Sequence, residues 1–293
     1  MENVIELKQV NKTFQGFQLK DLSLSVKKGF VTGFIGANGV GKSTTIKLIM
    51  NMLQPDQGSV KVFGQSYRTH EKQIKERIGF VSDENIFYEN MTLKELRRII
   101  KPAFKQWDDA QFKHYVELFE LPLSQKIKTF SKGMLMKASL TMALSHHAEL
   151  IIMDEPTSGL DPIFRRELLQ VLHDLMQDGE KTIFFSTHIT TDLDRIADYI
   201  TFIHNGQHMF TKEFYSIEEE YAIVKGPKEL LDQETSQEFI GIKQSAYSFE
   251  ALTADKTRVQ NIFKDTVILE KPTLEDIMYY TKKGRDHHVK VNA

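Results

Sequence analysis

The stretch Phe30-Val31-Thr32-Gly33-Phe34-Ile35-Gly36-Ala37-Asn38-Gly39-Val40-Gly41-Lys42-Ser43-Thr44-Thr45-Ile46-Lys47-Leu48-Ile49-Met50 decides the fold class. An apolar run reads as a buried strand, a glycine-rich turn follows, and Ile46, Leu48 and Ile49 belong to a helical pattern. Residues 36–43 satisfy G-x-x-x-x-G-K-[ST] at every fixed position, in the strand-loop-helix setting that motif requires. Glycines let successive backbone N–H groups turn inward onto phosphate oxygens, Lys42 adds a cation at the β and γ phosphates, and the Ser43 hydroxyl is suited to Mg²⁺. Gly36, Asn38, Gly39, Gly41, Lys42, Ser43 and Thr44 are therefore the expected nucleotide contacts, with Lys42 also counted among the catalytic groups.

Two further apolar runs, Leu150-Ile151-Ile152-Met153 and Thr182-Ile183-Phe184-Phe185, have the continuous hydrophobicity of strands covered on both faces, as in a parallel sheet. The architecture is α/β. Ahead of the loop, Leu22, Leu24 and Val26 alternate with polar residues, the pattern of a half-buried strand in a small antiparallel sheet. Residues 87–149 read as helical, with Phe112, Tyr115, Val116 and Phe119 on one helix face and Asp108 and Asp109 as candidate caps. From residue 218 short apolar runs alternate with helical patterns around Leu230 and Val259, in an order that fits a ferredoxin-like split βαβ unit. The expected division is thus a domain over 1–217, with the helical part inserted, and a small α+β domain over 218–293.

At 293 residues the chain exceeds the usual range of about 100–200 for one domain, in keeping with that division. Thirty-eight basic residues against 40 acidic ones leave a formal charge of -2, without the positive excess of a nucleic-acid binder. There is no cysteine, which removes disulfides, thiolate metal sites and thiol nucleophiles and suits a reducing cytosol. Met1-Glu2-Asn3-Val4-Ile5-Glu6 has neither the basic region nor the apolar stretch of an export signal, and no run approaches the 20 or so apolar residues that span a bilayer. Any membrane role is expected to come through a partner.

Asp154 and Glu155 follow the second buried strand, where the carboxyl ends of parallel strands form a ligand crevice. There Asp154 is placed to hold Mg²⁺ through its water shell and Glu155 to polarise the attacking water. With these residues the string Leu150-Ile151-Ile152-Met153-Asp154-Glu155-Pro156-Thr157-Ser158-Gly159-Leu160-Asp161 resembles the joined Walker B and D-loop segments of ABC ATPases. The resemblance covers residues 1–215 and implies a P-loop NTPase cassette with a RecA-like core, an antiparallel β subdomain and an inserted helical subdomain. It also implies that His188, in Ser186-Thr187-His188, is the switch histidine that contacts the γ-phosphate and catalytic water, and that Asp161 belongs to the nucleotide site. Phe14, in Lys12-Thr13-Phe14, matches the place of the ring that stacks on adenine, with a core phenylalanine as the rival reading.

Two segments depart from the family pattern. Its signature, usually Leu-Ser-Gly-Gly-Gln, stands here as Phe130-Ser131-Lys132-Gly133-Met134, retaining Ser131 and Gly133. In the family this segment of one subunit covers the ATP held by another, so the resemblance implies a head-to-tail dimer, a homodimer or a heterodimer with a paralogue, binding two ATP. Lys132 either adds attraction at the γ-phosphate or points outward. Asp83, in Ile78-Gly79-Phe80-Val81-Ser82-Asp83-Glu84, stands where the family has a glutamine that touches Mg²⁺. A carboxylate there still offers oxygen ligands. Together with Trp107-Asp108 and Pro272-Thr273-Leu274-Glu275-Asp276-Ile277, these departures resemble the bacterial branch of ATPases that serve ABC-2-type exporters of peptides, drugs or lipids.

The implied function is ATP hydrolysis that energises export through a separate transmembrane permease, from the cytoplasmic face of the cell membrane. The alternative is a cassette that clamps or scaffolds soluble partners, since fold alone does not dictate what is moved. His204 and His208 have the spacing of a helical metal pair, but Asn205-Gly206 between them signals a hairpin turn. They are not read as a metal site. The basic tail Lys282-Lys283-Gly284-Arg285 is read as solvated, with contact to anionic lipid as the rival reading.

Overall fold

The computed structural model describes residues 2–291 except Asp83, Asn85, Ile86 and Asp178, with side chains described as far as residue 284. The chain divides into two compact units, residues 1–211 and 212–293.

In the first unit β1 (Asn3–Phe14) and β2 (Phe17–Lys27) form a hairpin, followed by β3 (Val31–Ile35) and α1 (Lys42–Ile49). Next come β4 (Gln57–Val62), α2 (Tyr67–Glu76), β5 (Ile78–Val81), and the helices α3 (Leu93–Ile100), α4 (Asp109–Leu118) and α5 (Lys132–Leu144). The unit continues through β6 (Leu150–Asp154), α6 (Pro162–Leu175), β7 (Thr182–Thr187), β8 (Tyr199–His204) and β9 (Gln207–Glu213).

Among the described residues, β2-β1-β4 make an antiparallel sheet and β5-β6-β7-β3-β8-β9 make the central one. From β5 to β8 every pairing in the central sheet is parallel. That is why β3, β6 and β7 are buried at nearly every position: helices or the antiparallel sheet cover both faces. The antiparallel sheet contributes one face only. Leu22, Leu24 and Val26 are buried, as the alternation predicts, and pack with Phe34, Ile46, Ile152 and Phe184 in one core.

The helical region contains the expected α4, with Phe112, Val116 and Phe119 buried. Of the two candidate caps only Asp108 serves, its carboxylate accepting from Ala110 N and Gln111 N at 2.7 and 3.2 Å. Asp109 is the first helical residue and pairs with Lys101, Arg97 and the Trp107 indole instead, which holds its carboxyl well below the usual range. The His204 to His208 stretch is the β8–β9 turn, with Asn205 and Gly206 both at positive φ.

The second unit begins at residue 212, at the end of β9, and its first helix is α7 (Phe214–Glu220), inside which the expected boundary at 217/218 falls. It continues with β10 (Ala222–Pro227), β11 (Gly241–Gln244), β12 (Ser248–Thr253), α8 (Lys256–Phe263), β13 (Ile268–Glu270) and α9 (Leu274–Val291). The antiparallel order β11-β12-β10-β13 follows a ferredoxin-like split βαβ unit. The helix expected around Leu230 does not form. Short 3₁₀ turns at Lys228–Leu230 and Thr235–Glu238 replace it, because Asp232 captures the amides of Glu234 and Thr235 at 2.9 and 2.7 Å, a local bond that competes with helix formation.

His146, buried just after α5, links that helix to β5. Its Nδ1 lies 3.1 Å from the Met142 carbonyl and its Nε2 3.1 Å from the Ile78 carbonyl, while Phe104 stacks on the ring. Burial outweighs the two carbonyls and holds the ring below its ordinary value of 6.5. The unfolded chain therefore takes up this proton at higher pH than the folded one, and stability falls as pH drops below about 6.5. Urea midpoints measured down through that window should decline, and the decline should be shallower in His146→Gln.

Candidate active site

Because β3, β6 and β7 run parallel, the loops leaving their carboxyl ends emerge together. The register pairs Ile35 with Thr187 and Asp154 with Ser186, which sets Gly36, Glu155 and His188 at one edge of the sheet. The loop after β3 is shaped by its glycines. Gly39 and Gly41 have φ of 80° and 108°. A Cβ on Gly36 would stand 2.6 Å from the Ile203 carbonyl oxygen, so β8 can lie this close only to glycine. Gly41 N-caps α1, whose first-turn amides and positive dipole end face the loop and favour an anion there.

Lys42 is the buried first residue of α1. Its Nζ donates to the Gly36 carbonyl at 2.8 Å and lies 3.1 Å from Glu155 Oε1. The other carboxylate oxygen of Glu155 meets His188 Nδ1 at 2.7 Å and accepts from His188 N at 3.2 Å. Lysine, carboxylate and imidazole thus stand in line. Glu155 itself has φ of 49°, a left-handed conformation that a non-glycine residue adopts at a cost of about 1–3 kcal/mol and that clusters at functional sites. Ser186 holds this bend: its hydroxyl accepts from Glu155 N at 3.1 Å and donates to Asp154 Oδ1 at 2.6 Å. Sequence reading gave Ser186 no role, because its pairing with Asp154 is set by the register of β6 and β7.

Lys42, Glu155 and His188 line a cleft of about 370 Å³ with Ser43, Thr44, Ser158, Phe17 and the loop residues Asn38, Gly39 and Gly41, whereas Gly36, Asp154 and Ser186 stand behind its wall. Phe17 was also passed over, hidden by the match of Phe14 to a motif. Phe14 is 41% exposed, which removes the core reading, and its ring centroid lies 6.5 Å from that of Phe17. Phe17 is the aromatic residue of the cleft wall, with Phe14 next to it. Asp83 lies outside the described residues.

Ser131, Gly133 and Asp161 do not line this cleft. Ser131 N-caps α5, accepting from Met134 N at 3.2 Å, and Asp161 N-caps α6, accepting from Ile163 N and Phe164 N at 3.1 and 3.0 Å. Lys132 Nζ lies 3.3 Å from the point where a Cβ on Gly159 would sit, so it turns toward the glycine of its own chain's D-loop segment.

The donor set suits a magnesium nucleotide better than a free metal ion. Among the described residues no group of three or more His, Cys, Asp or Glu side chains converges as a metal cage. Ser43 offers a hydroxyl and Asp154 a carboxylate, donor types that Mg²⁺ accepts beside phosphates and water.

The family description "ABC transporter" matches residues 19–158. A bacitracin transport ATP-binding protein of Bacillus licheniformis is 32% identical over 210 residues, which cover 71% of this chain and 69% of that one. This chain belongs to the ABC transporter family. The ATP-binding protein YtrB of Bacillus subtilis is 30% identical over 219 residues, covering 74% of this chain and 75% of its own length. A solved structure described as the ATP-binding subunit of an ABC transporter superposes with a TM-score of 0.67 at 27% identity, covering 74% of this chain and 92% of that one. The cassette is an ATPase, the ATP-binding subunit of such a transporter.

The glycine loop provides a graded test. Gly39→Ala meets no atom within 4 Å and incurs only the left-handed backbone cost of about 1–2 kcal/mol. Gly41→Ala would add a Cβ 2.5 Å from buried Leu19 and 2.7 Å from Phe17, so urea unfolding should register a further loss of about 1–3 kcal/mol. Equal losses for the two variants would contradict this account of the loop.

Proposed function

We propose that this cassette energises export of a peptide, drug or lipid through a separate transmembrane permease, hydrolysing two ATP at a head-to-tail dimer. The observation that carries the catalytic part is the Lys42–Glu155–His188 line in the cleft. ATP lays its phosphates along the loop amides and the start of α1, and Lys42 neutralises charge at the β and γ phosphates. Ser43 and, through water, Asp154 would hold Mg²⁺, with Asp83 as a further oxygen donor, and the ion bound there would supply positive charge against the phosphate oxygens. Glu155 accepts the proton of the attacking water as it adds to the γ-phosphorus, and the bond to the ADP oxygen breaks. His188, tied to Glu155 through Nδ1, orients that carboxylate and presents its other nitrogen to the γ-phosphate. Phe14 and Phe17 offer ring faces to adenine.

Ser131 and Gly133 of a second copy, or of a paralogue, complete each site, with Asp161 near the junction. Their absence from the cleft wall of their own chain agrees with this arrangement. The helical region near residues 87–130 is the proposed permease dock, with Tyr88, Ile99, Leu118 and Leu123 exposed on it. Among the described residues no helix is long and apolar enough to cross a membrane, which suits attachment to the cytoplasmic face through that partner. Export of a peptide-like cargo draws on the bacitracin transport protein among the relatives and on the altered signature segment.

Glu155→Gln should slow hydrolysis by about 10²–10⁴-fold while ATP still binds and a nucleotide-dependent dimer accumulates in sedimentation. Retained turnover would remove Glu155 from the role of base. Recovery of the tagged protein from detergent-solubilised membranes with only soluble partners would count against the transporter assignment.

A further inference from the structure

The segments leaving β6 and β7 are joined twice. The near joint is Glu155 to His188. The far joint lies outside the cleft and uses residues to which the reading above gives no role. Arg165 in α6 donates from Nε to Asp192 Oδ1 at 2.5 Å and from Nη2 to Thr191 Oγ1 at 3.1 Å. Asp192 is only 2% exposed and sits in the 3₁₀ turn Thr190–Arg195 that follows His188. Among the described residues its second oxygen has no hydrogen-bond partner.

Short local bonds carry each end of this ion pair back to the cleft. Asp192 N donates to the Ile189 carbonyl at 3.3 Å, and Ile189 N donates to Thr187 Oγ1 at 2.9 Å, closing the turn around His188. On the other side Arg165 N donates to the Asp161 carbonyl at 3.0 Å, while Ser158 N donates to the Glu155 carbonyl at 3.1 Å. The result is a closed ring: Glu155, the Ser158–Asp161 turn, Arg165, Asp192, the turn at His188, and Glu155 again. A buried ion pair is weak evidence for stability, because desolvation offsets much of its attraction, and a half-satisfied carboxylate makes the balance poorer. Such a pair does set geometry, because one buried oxygen faces one guanidinium edge.

We propose that the Arg165–Asp192 ion pair is a positioning device for His188, locking the switch turn to the helix that follows the D-loop so that imidazole and Glu155 carboxylate stay aligned. Arg165 and Asp192 touch no substrate and act through His188. The inference rests on the reading of His188 as a γ-phosphate contact. Misalignment of a catalytic group by about an ångström is worth up to ~10²-fold in rate, so the pair governs turnover rather than ATP affinity.

A double-mutant cycle on the purified full chain tests this, with ATP turnover and equilibrium ATP binding measured for Arg165→Ala, His188→Ala and the combination. Arg165→Ala should lower kcat by about 10- to 100-fold with ATP affinity held within about twofold, and should add almost nothing once His188 is alanine. The same Arg165→Ala penalty in both backgrounds, or a parallel fall in affinity and turnover, would overturn the proposal and leave the pair a structural contact. His188→Ala with undiminished turnover would instead remove the underlying reading of the site. Asp192→Asn, which keeps the side-chain shape, repeats the cycle if Arg165→Ala does not fold, and the same pattern of outcomes decides it.

Discussion

The parallel register of β3, β6 and β7 is the constraint on which the rest of the molecule depends. Ile35 opposite Thr187 and Asp154 opposite Ser186 bring three loops to one edge of the sheet, where Lys42, Glu155 and His188 meet. A slip of one residue in any of these pairings would send the following side chain to the other face of the sheet. The register is held in turn by burial on both faces, which the antiparallel sheet β2-β1-β4 helps to provide through Leu22, Leu24 and Val26. The small N-terminal sheet therefore helps to fix the edge at which Lys42, Glu155 and His188 meet.

Around that edge several polar side chains serve local structure and site geometry together. Ser186 both supports the left-handed turn at Glu155 and engages Asp154. Ser131 and Asp161 cap the helices that begin in the signature and D-loop segments, so their side chains fix where those helices start. The line Lys42–Glu155–His188 is a chain of charged and polar contacts, and strain at Glu155 is tolerated because both carboxylate oxygens and the backbone amide are held. Arg165 and Asp192 extend the same logic one shell outward.

The second unit is a separate piece of physics. Its sheet covers one face with a small core of Val224, Phe249, Ala251, Val259 and Phe263. Across the other face Lys225 sits between Glu250 and Glu270, and the Tyr280 hydroxyl on α9 bonds Glu250. Burial of Tyr280 and the neighbouring carboxylate push its hydroxyl far above the ordinary range, so it serves as a donor. Thr273 and Asp276 cap α9 reciprocally, an arrangement readable in the sequence as a polar pair three residues apart.

Much of the site was legible in the chain because its chemistry is local. The spacing from Gly36 to Ser43 dictates a turn that only glycines can follow, and the apolar runs ahead of Gly36, Asp154 and Ser186 mark buried strands. Carboxylates at the end of such a strand follow from the same pattern. The sequence also narrowed the α4 cap to Asp108 or Asp109 and marked the turn at Asn205-Gly206, since both rest on bonds or torsions within a few residues. Tertiary structure alone decided what depends on distant partners. It set Phe17 in the cleft wall with Phe14 beside it, turned Lys132 toward Gly159, recruited Ser186, and joined Arg165 to Asp192. The helix expected near Leu230 was lost for a local reason instead, because Asp232 captures the amides of Glu234 and Thr235. For the groups with distant partners the physical reason is the same in each case: local pattern specifies which backbone conformations are open to a segment, whereas the direction of an exposed ring, an ammonium or a guanidinium is chosen by whichever group the fold brings within reach.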